Sequence, residues 1–364
     1  MPIYTQIFGA LSQDSENPLS RVSQANSCIS LDPFAGCPLG CVYCYRYNSK
    51  RDASFDIPTR LFSDEELVEA LITHPYFIPH KTVIGISVAS TEAFLPEVAD
   101  STFNIMNLLV NKGYKNPFWL VIKTGIPKNS YSKFKYITAR SRGVIISVSY
   151  SSMPSRIEPF RGDRFKNIEE AIRAGVHVSL HLRPIVPGWN DRYENIENSI
   201  LEGAKRNCQS ICVGGLRFLE GIKYAITKKY NLEFPNIKED ELEKTLPPKI
   251  MNFVAKALKK NNINLPVFTH SSEVISSFLG IPDYNLHEFR RSQNQFLEIP
   301  LKKQIDIERR KNKKVKDLIK EAIQELGLED CKVSVRSKDI ILSRKLTYSE
   351  ERALIHRLGL EKFF

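Results

Sequence analysis

The chain has no run of about 18 apolar residues, so no part of it is expected to cross a membrane as a helix. Its opening, Met1-Pro2-Ile3-Tyr4-Thr5-Gln6, lacks a basic stretch followed by an apolar one, and a secretory signal is not expected. Internal repeats and low-complexity tracts are absent, which leaves no sign of a repeat array or a disordered segment. No cysteine lies between Cys44 and Cys208. The seven cysteines are an odd number, and three of them share one loop. That usage argues against a disulfide framework and for a reducing compartment with a metal site, so a cytoplasmic location is expected.

What is present describes a sizeable globular protein. The chain has 364 residues, 42% of them hydrophobic, enough for a large core. The formal charge is +11, and residues 301–364 carry 17 basic against 11 acidic residues. Such asymmetry points either to a polyanionic partner, nucleic acid among them, or to a solvated lysine-rich surface.

From residue 27 to 220, strand-like and helix-like segments alternate. Apolar or β-branched runs fall at 27–31, 82–88, 118–123, 143–149, 176–182 and 210–216. Helical spacing appears after Ser63-Asp64-Glu65-Glu66 and near 99–113, 163–174 and 191–206. This alternation predicts an α/β fold, a partial (β/α)6 TIM-like barrel with a small C-terminal α+β appendage. The expected divisions are an N-terminal extension at 1–26 and the barrel core at 27–220. Barrel completion and connecting helices follow at 221–309, then a basic α-β-β-α appendage at 310–364. A less regular connection is expected over 221–245, then a helix near 247–260 and a short strand at Val267-Phe268. In the appendage a basic helix is expected at 312–326, strands at 332–336 and 340–343 around Ser337-Lys338-Asp339, and a last helix at 348–358.

The motif of most consequence is Cys37-Pro-Leu-Gly-Cys41-Val-Tyr-Cys44, directly after the first of these strands. Three thiolates at C-x3-C-x2-C spacing can hold three corners of a 4Fe-4S cube and leave one iron open. A closed cluster would take four cysteines, and a zinc site usually recruits a fourth Cys or His nearby. The nearest following histidine is His74. In barrels and open parallel sheets, chemistry sits at the carboxyl ends of the strands, where this loop lies.

With Tyr43 before the third cysteine, the loop resembles the signature of the radical S-adenosylmethionine (SAM) superfamily. Asp32-Pro33-Phe34-Ala35-Gly36 and Cys41-Val42-Tyr43-Cys44-Tyr45 are similar to the spore photoproduct lyase-like subfamily. So are Ile157-Glu158-Pro159, Arg164-Phe165, Ala171-Ile172-Arg173-Ala174-Gly175-Val176 and Arg183-Pro184-Ile185-Val186-Pro187-Gly188. The resemblance covers roughly residues 25–220. It implies that SAM chelates the open iron and is cleaved by one electron to methionine and a 5′-deoxyadenosyl radical, which takes a hydrogen atom from substrate. It also implies an electron donor such as flavodoxin or ferredoxin.

The resemblance carries roles to individual residues. Cys37, Cys41 and Cys44 are the cluster ligands, and Tyr43 packs near the adenine. Lys123 reaches the SAM carboxylate, and Ser149, with Ser147 as the alternative, lies near the ribose. Arg183 and Ile185 lie where adenine is held. Thr91 and Glu92 lie where the amino group binds, although the family's Gly-Gly-Glu form is absent. No substrate-activating residue is named. Ser87-Val88-Ala89-Ser90-Thr91-Glu92 has no cysteine where spore photoproduct lyase has its hydrogen donor, which argues against photoproduct repair. Cys28 reads as a core thiol, and Cys208, Cys212 and Cys331 do not suggest a second cluster. His181 and His270 either line the barrel mouth or are satisfied core residues. Gly214-Gly215 allows close approach of backbone to a ligand or makes a tight turn.

Three readings of function stay open. One is a radical SAM enzyme acting on nucleic acid or a nucleotide, one an enzyme modifying a peptide or small molecule, and one a non-enzymatic Fe–S nucleic-acid-binding protein.

Overall fold

A computed structural model describes residues 9–12, 14–48, 57–160, 162–216, 219–235, 246, 248–286, 290–291, 297–336 and 339–364. Its centre is a nine-stranded sheet whose spatial order follows the chain. The strands are β1 (Gly9–Ala10), β2 (Val22–Gln24), β3 (Ile29–Leu31), β4 (Ile84–Ile86), β5 (Phe118–Ile122), β6 (Val144–Ser149), β7 (His177–Ile185), β8 (Ser210–Gly215) and β9 (Val267–Phe268). The first three pair antiparallel, and every pairing from β3 to β9 is parallel. All six strands expected between residues 27 and 220 are present.

Parallel neighbours need a crossover, and helices supply it. They are α1 (Asp64–Ile72), α2 (Ala99–Asn111), α3 (Tyr131–Thr138), α4 (Ile168–Arg173), α5 (Tyr193–Lys205), α6 (Glu220–Tyr224) and α7 (Pro248–Lys260), with α8 (Ser271–Leu279) after β9. Ser63 caps α1 as its sequence suggests, its hydroxyl accepting from the Glu66 amide at 3.2 Å. The helix expected over 163–174 is shorter at 168–173, because Asn167 takes a left-handed backbone with φ 60°. Helices α3 and α8 were not expected. Residues 236–245 of the irregular connection lie outside the described residues.

The pleat sends alternate residues to opposite faces. Ile29, Ile84, Ile86, Leu120, Ile122, Ile146, Val148, Val178 and Leu180 face the helices and form the main apolar core. On the other face, Cys28, Trp119, Ile145 and Cys212 pack with Val274 and Ile275 of α8 and with Tyr284. This plugs the barrel at the end away from the cysteine loop.

The appendage has its own small core, built from Ile307, Val315, Leu318, Ile319, Ala322 and Leu354 among others. Its four-stranded sheet comprises β10 (Arg290–Arg291), β11 (Leu297–Glu298), β12 (Val333–Arg336) and β13 (Asp339–Leu342), in the order β10-β11-β13-β12. The basic helix expected over 312–326 is α10 (Val315–Glu325), preceded by α9 (Leu301–Lys311). Asn312, left-handed at φ 52°, separates the two. The last helix, α11 (Tyr348–Arg357), is capped by Thr347. The turn expected at Ser337-Lys338 lies outside the described residues. Among the described residues no helix is long and apolar enough to cross a membrane.

Candidate active site

The cysteine loop leaves β3 through Asp32. The Asp32 carboxylate accepts from Ser30 Oγ at 2.9 Å and from the amides of Ala89 and Ser90 at 3.0 and 3.1 Å. One buried acid thus ties the loop after β3 to the loop after β4. The Cys44 amide donates to the Cys41 carbonyl at 3.1 Å, closing a turn, and Val42 N donates to Ile157 O at 3.0 Å. The Tyr45 hydroxyl donates to the Val88 carbonyl. Arg46, fully buried, completes the loop's seat.

Of the three thiols, that of Cys41 is buried and those of Cys37 and Cys44 are half-buried. Burial pushes Cys37 up to about 11 and Cys41 up to about 12, and raises Cys44 as well. Arg46 works against the rise at Cys37 and Cys44, and Lys123 works against it at Cys41 and Cys44. Such buried thiols become thiolates when a strong cationic centre holds them. Among the described residues, no three His, Cys, Asp or Glu side chains are grouped to ligate a single metal ion. A cube offers a separate iron to each thiolate, so its three ligands stand further apart than three ligands of one ion. All seven cysteines are free of disulfides.

Next to the loop lies a buried polar network. Lys123, at the carboxyl end of β5, donates from Nζ to Tyr43 Oη (2.9 Å), Ser149 Oγ (2.8 Å) and Glu158 Oε2 (3.0 Å). Arg164 pairs with Glu158 and donates to the Ser149 carbonyl at 2.6 Å. Ser149 Oγ in turn donates to Arg183 O at 3.2 Å. Glu92 Oε1 accepts from Lys123 N at 2.9 Å and from Thr124 Oγ1 at 3.0 Å. Burial lowers the Lys123 pKa to about 8 and raises that of Glu92. The hydroxyls of Ser87 and Thr91, both after β4, are buried without a hydrogen-bond partner among the described residues. Buried orphan hydroxyls of this kind fit a polar ligand.

The structure therefore brings Tyr43, Glu92, Lys123 and Ser149 together at the carboxyl ends of the strands, beside Cys41 and Cys44. It does not bring in Ser147, whose hydroxyl takes the Trp119 indole N–H at 2.8 Å deeper in the barrel. Ile185 packs in the apolar core shared with the helices. Arg183 donates to Cys212 Sγ at 3.5 Å and to Ser271 Oγ at 3.2 Å, across the inside of the barrel. Gly214 makes room for it, since a Cβ there would strike the guanidinium. His181 is buried opposite Ser149 and Cys212, and His270 sits part-exposed at the start of α8. Glu158 and Arg164 stand out in the sequence only as part of a pattern. Nothing in the sequence marks them as partners, and the fold makes them a buried ion pair.

The fold can be compared with known structures. A tyrosine-to-phenylalanine mutant of spore photoproduct lyase superposes with a TM-score of 0.50, at 12% identity, over 74% of this chain and 89% of the other. The protein has the fold of spore photoproduct lyase. A cysteine-to-alanine mutant of that lyase, with dinucleoside spore photoproduct, also gives 0.50, at 11% identity, over 72% of this chain and 87% of the other. No protein-family model matches the sequence, and no curated protein matches it significantly. The partial-barrel α/β architecture read from the sequence is thus the architecture of spore photoproduct lyase, and the cysteine loop takes its expected place after the first parallel strand.

Proposed function

We propose that the protein is a radical SAM enzyme whose substrate is a nucleic acid or a nucleotide. The observation that carries the reading is the buried Tyr43–Lys123–Ser149–Glu158–Arg164 network set against a three-cysteine loop at the mouth of a parallel barrel. Cys37, Cys41 and Cys44 would hold a 4Fe-4S cluster through three irons. When bound, that cluster supplies the electron that cleaves SAM to methionine and a 5′-deoxyadenosyl radical.

The chain's own residues bind and orient. Lys123 presents a cation to the SAM carboxylate, and its bonds to Tyr43, Ser149 and Glu158 fix its position. Ser149 lies next to it for the ribose, and Thr91 offers toward the amino group a buried hydroxyl that has no hydrogen-bond partner among the described residues. The apolar residues Leu39, Val42, Leu95, Met153, Ile157, Leu216 and Ile222 enclose the loop and keep water from it. A flavodoxin or ferredoxin would provide the electron, and a cytoplasmic setting suits seven free cysteines. The charge of +11 and the basic appendage support a polyanionic substrate. The stretch 87–92 has no cysteine, so photoproduct repair is not proposed.

The test is anaerobic reconstitution with iron and sulfide, then dithionite and SAM, with 5′-deoxyadenosine measured by chromatography. The product should form, and alanine at any one of Cys37, Cys41 or Cys44 should abolish it. A loaded cluster that yields no 5′-deoxyadenosine would rule out the enzyme reading.

A further inference from the structure

Arg183 is a cation inside the barrel with no carboxylate paired to it among the described residues. Strand β7 runs between β6 and β8. Val178, Leu180 and Leu182 face the helices, so Ser179, His181 and Arg183 point inward. His181 stands in register with Ser149 of β6 and Cys212 of β8, and Arg183 follows one pleat nearer the carboxyl ends. The guanidinium donates from Nη1 to Cys212 Sγ at 3.5 Å and to Ser271 Oγ at 3.2 Å. Its Nε and Nη2 donate to no acceptor among the described residues. Glu273, the acid in the first turn of α8, folds back onto the amides of Thr269 and His270 at 2.9 and 2.8 Å.

The interior is open at this level. Arg183 is half-buried, and so are Val121, on the inward face of β5, and Phe268, in register with Cys212. An inward residue on a strand with neighbours on both sides meets water only through the barrel interior. Gly214 preserves that room, since a Cβ there would stand 2.4 Å from Arg183 Nε. Ser271 opens the nine-residue α8, and the wholly buried Ser272 beside it has a hydroxyl without a hydrogen-bond partner among the described residues.

We infer that Arg183, with Ser271 and the start of α8, binds the phosphate of a nucleotide substrate inside the barrel. The inference rests on the nucleotide reading of the substrate and gives its phosphate a place. A guanidinium drawn from water without a counter-ion costs free energy, and a bound anion offsets that cost. A guanidinium fork and a hydroxyl match phosphate oxygens, and the positive end of a helix dipole adds to the attraction. The position also suits the chemistry. Ser149 Oγ donates to the Arg183 carbonyl at 3.2 Å and accepts from Lys123 Nζ at 2.8 Å. A nucleotide anchored on Arg183 therefore lies beside the group proposed to hold SAM.

The experiment titrates the full-length, reconstituted protein calorimetrically. The probes are inorganic phosphate, uridine and thymidine 5′-monophosphates, the two nucleosides, and acetate. Phosphate should bind the wild type and raise its urea midpoint, and each monophosphate should bind more tightly than phosphate or its own nucleoside. Arg183→Met should weaken phosphate binding at least about tenfold, and Arg183→Lys, which keeps the charge, should weaken it less. Gly214→Ala, which displaces the guanidinium without removing it, should weaken phosphate binding too. In phosphate-free buffer the urea midpoint of Arg183→Met should hold or rise, because an unpaired cation has been removed. A merely structural arginine gives the reverse, a lower midpoint or a failure to fold, and either result would overturn the inference. So would unchanged phosphate affinity in Arg183→Met, or acetate binding where phosphate does not. Monophosphates that bind no more tightly than inorganic phosphate would leave the anion site standing and remove the nucleotide reading. Monophosphates that bind equally well to Arg183→Met would keep that reading and remove the site.

Discussion

At the scale of single residues, Glu158 decides whether the buried Lys123 network holds. It is buried and shared by two cations, Lys123 and Arg164. Removing its charge leaves both cations in low dielectric without their counter-ion, a loss of about 3–5 kcal/mol for a buried pair broken on one side. Glu158→Gln should therefore lower unfolding stability by that order in urea denaturation. It should also weaken SAM binding by equilibrium dialysis at least tenfold, since Lys123 loses one of its three fixed positions. Unchanged SAM affinity would show that Lys123 does not depend on Glu158. Cys37, Cys41 and Cys44 stood out in the sequence by their spacing, whereas Tyr43, Lys123 and Ser149 were named from the family resemblance; the structure places Tyr43, Lys123 and Ser149 in one hydrogen-bonded group. The Lys123–Glu158 pair was not, because the two residues lie 35 positions apart and only the tertiary fold makes them neighbours. Ser147 shows the same limit. It shares a face with Ser149, and only the Trp119 indole beside it reveals that its hydroxyl serves the barrel interior.

At the scale of elements, α11 is seated on the barrel by side-chain hydrogen bonds and a close backbone contact. The Tyr348 hydroxyl donates to Asn26 Oδ1 at 2.8 Å, His356 Nε2 lies 3.0 Å from Asn26 O, and the Tyr284 hydroxyl donates to the Ser27 carbonyl. Gly359, just past α11, packs so closely on the Tyr284 backbone that a Cβ would collide with it. The obstacle is backbone and cannot swing aside. Gly359→Ala should cost about 1–3 kcal/mol, as overpacking does, and should speed proteolysis within the appendage. An unchanged proteolysis rate would mean that the joint yields without cost. The strands were readable because apolar and β-branched runs sit between turn residues. Helices α3 and α8 were not. Only Phe134 and Ile137 of α3 are buried, too short an apolar stripe to show a period. The extent of α10 was misjudged because asparagine tolerates a left-handed backbone, and Asn312 used that tolerance to split a basic run into two helices.

At the scale of the whole molecule, the buried His74 and His356 and the half-buried His177 couple folding to pH. Burial lowers His74, His177 and His356 to about 4, from an ordinary value near 6.5. Between those values the unfolded chain binds protons that the folded chain refuses, so unfolding free energy rises with pH across this window and falls on acidification. Above it, each histidine is neutral in both states and contributes no slope. Glu92, raised by burial, acts with the opposite sign, because its folded carboxyl holds a proton longer than the unfolded one. A tenfold difference in proton affinity between the two states is worth about 1.4 kcal/mol for each such group. The urea midpoint should therefore drop from about pH 7 to about pH 5. His356→Gln isolates one share, since an amide can still donate to the Asn26 carbonyl but does not titrate. That variant should show a smaller drop over the same range, with its neutral-pH midpoint little changed. Equal midpoints for the wild type at both pH values, or an unaltered drop in His356→Gln, would show that these histidines are not refusing protons in the folded state. Because His356 joins α11 to the residues just before β3, its own share of the acid sensitivity should fall at the joint between appendage and barrel. Proteolytic release of the appendage at the lower pH is the measurement that locates it there.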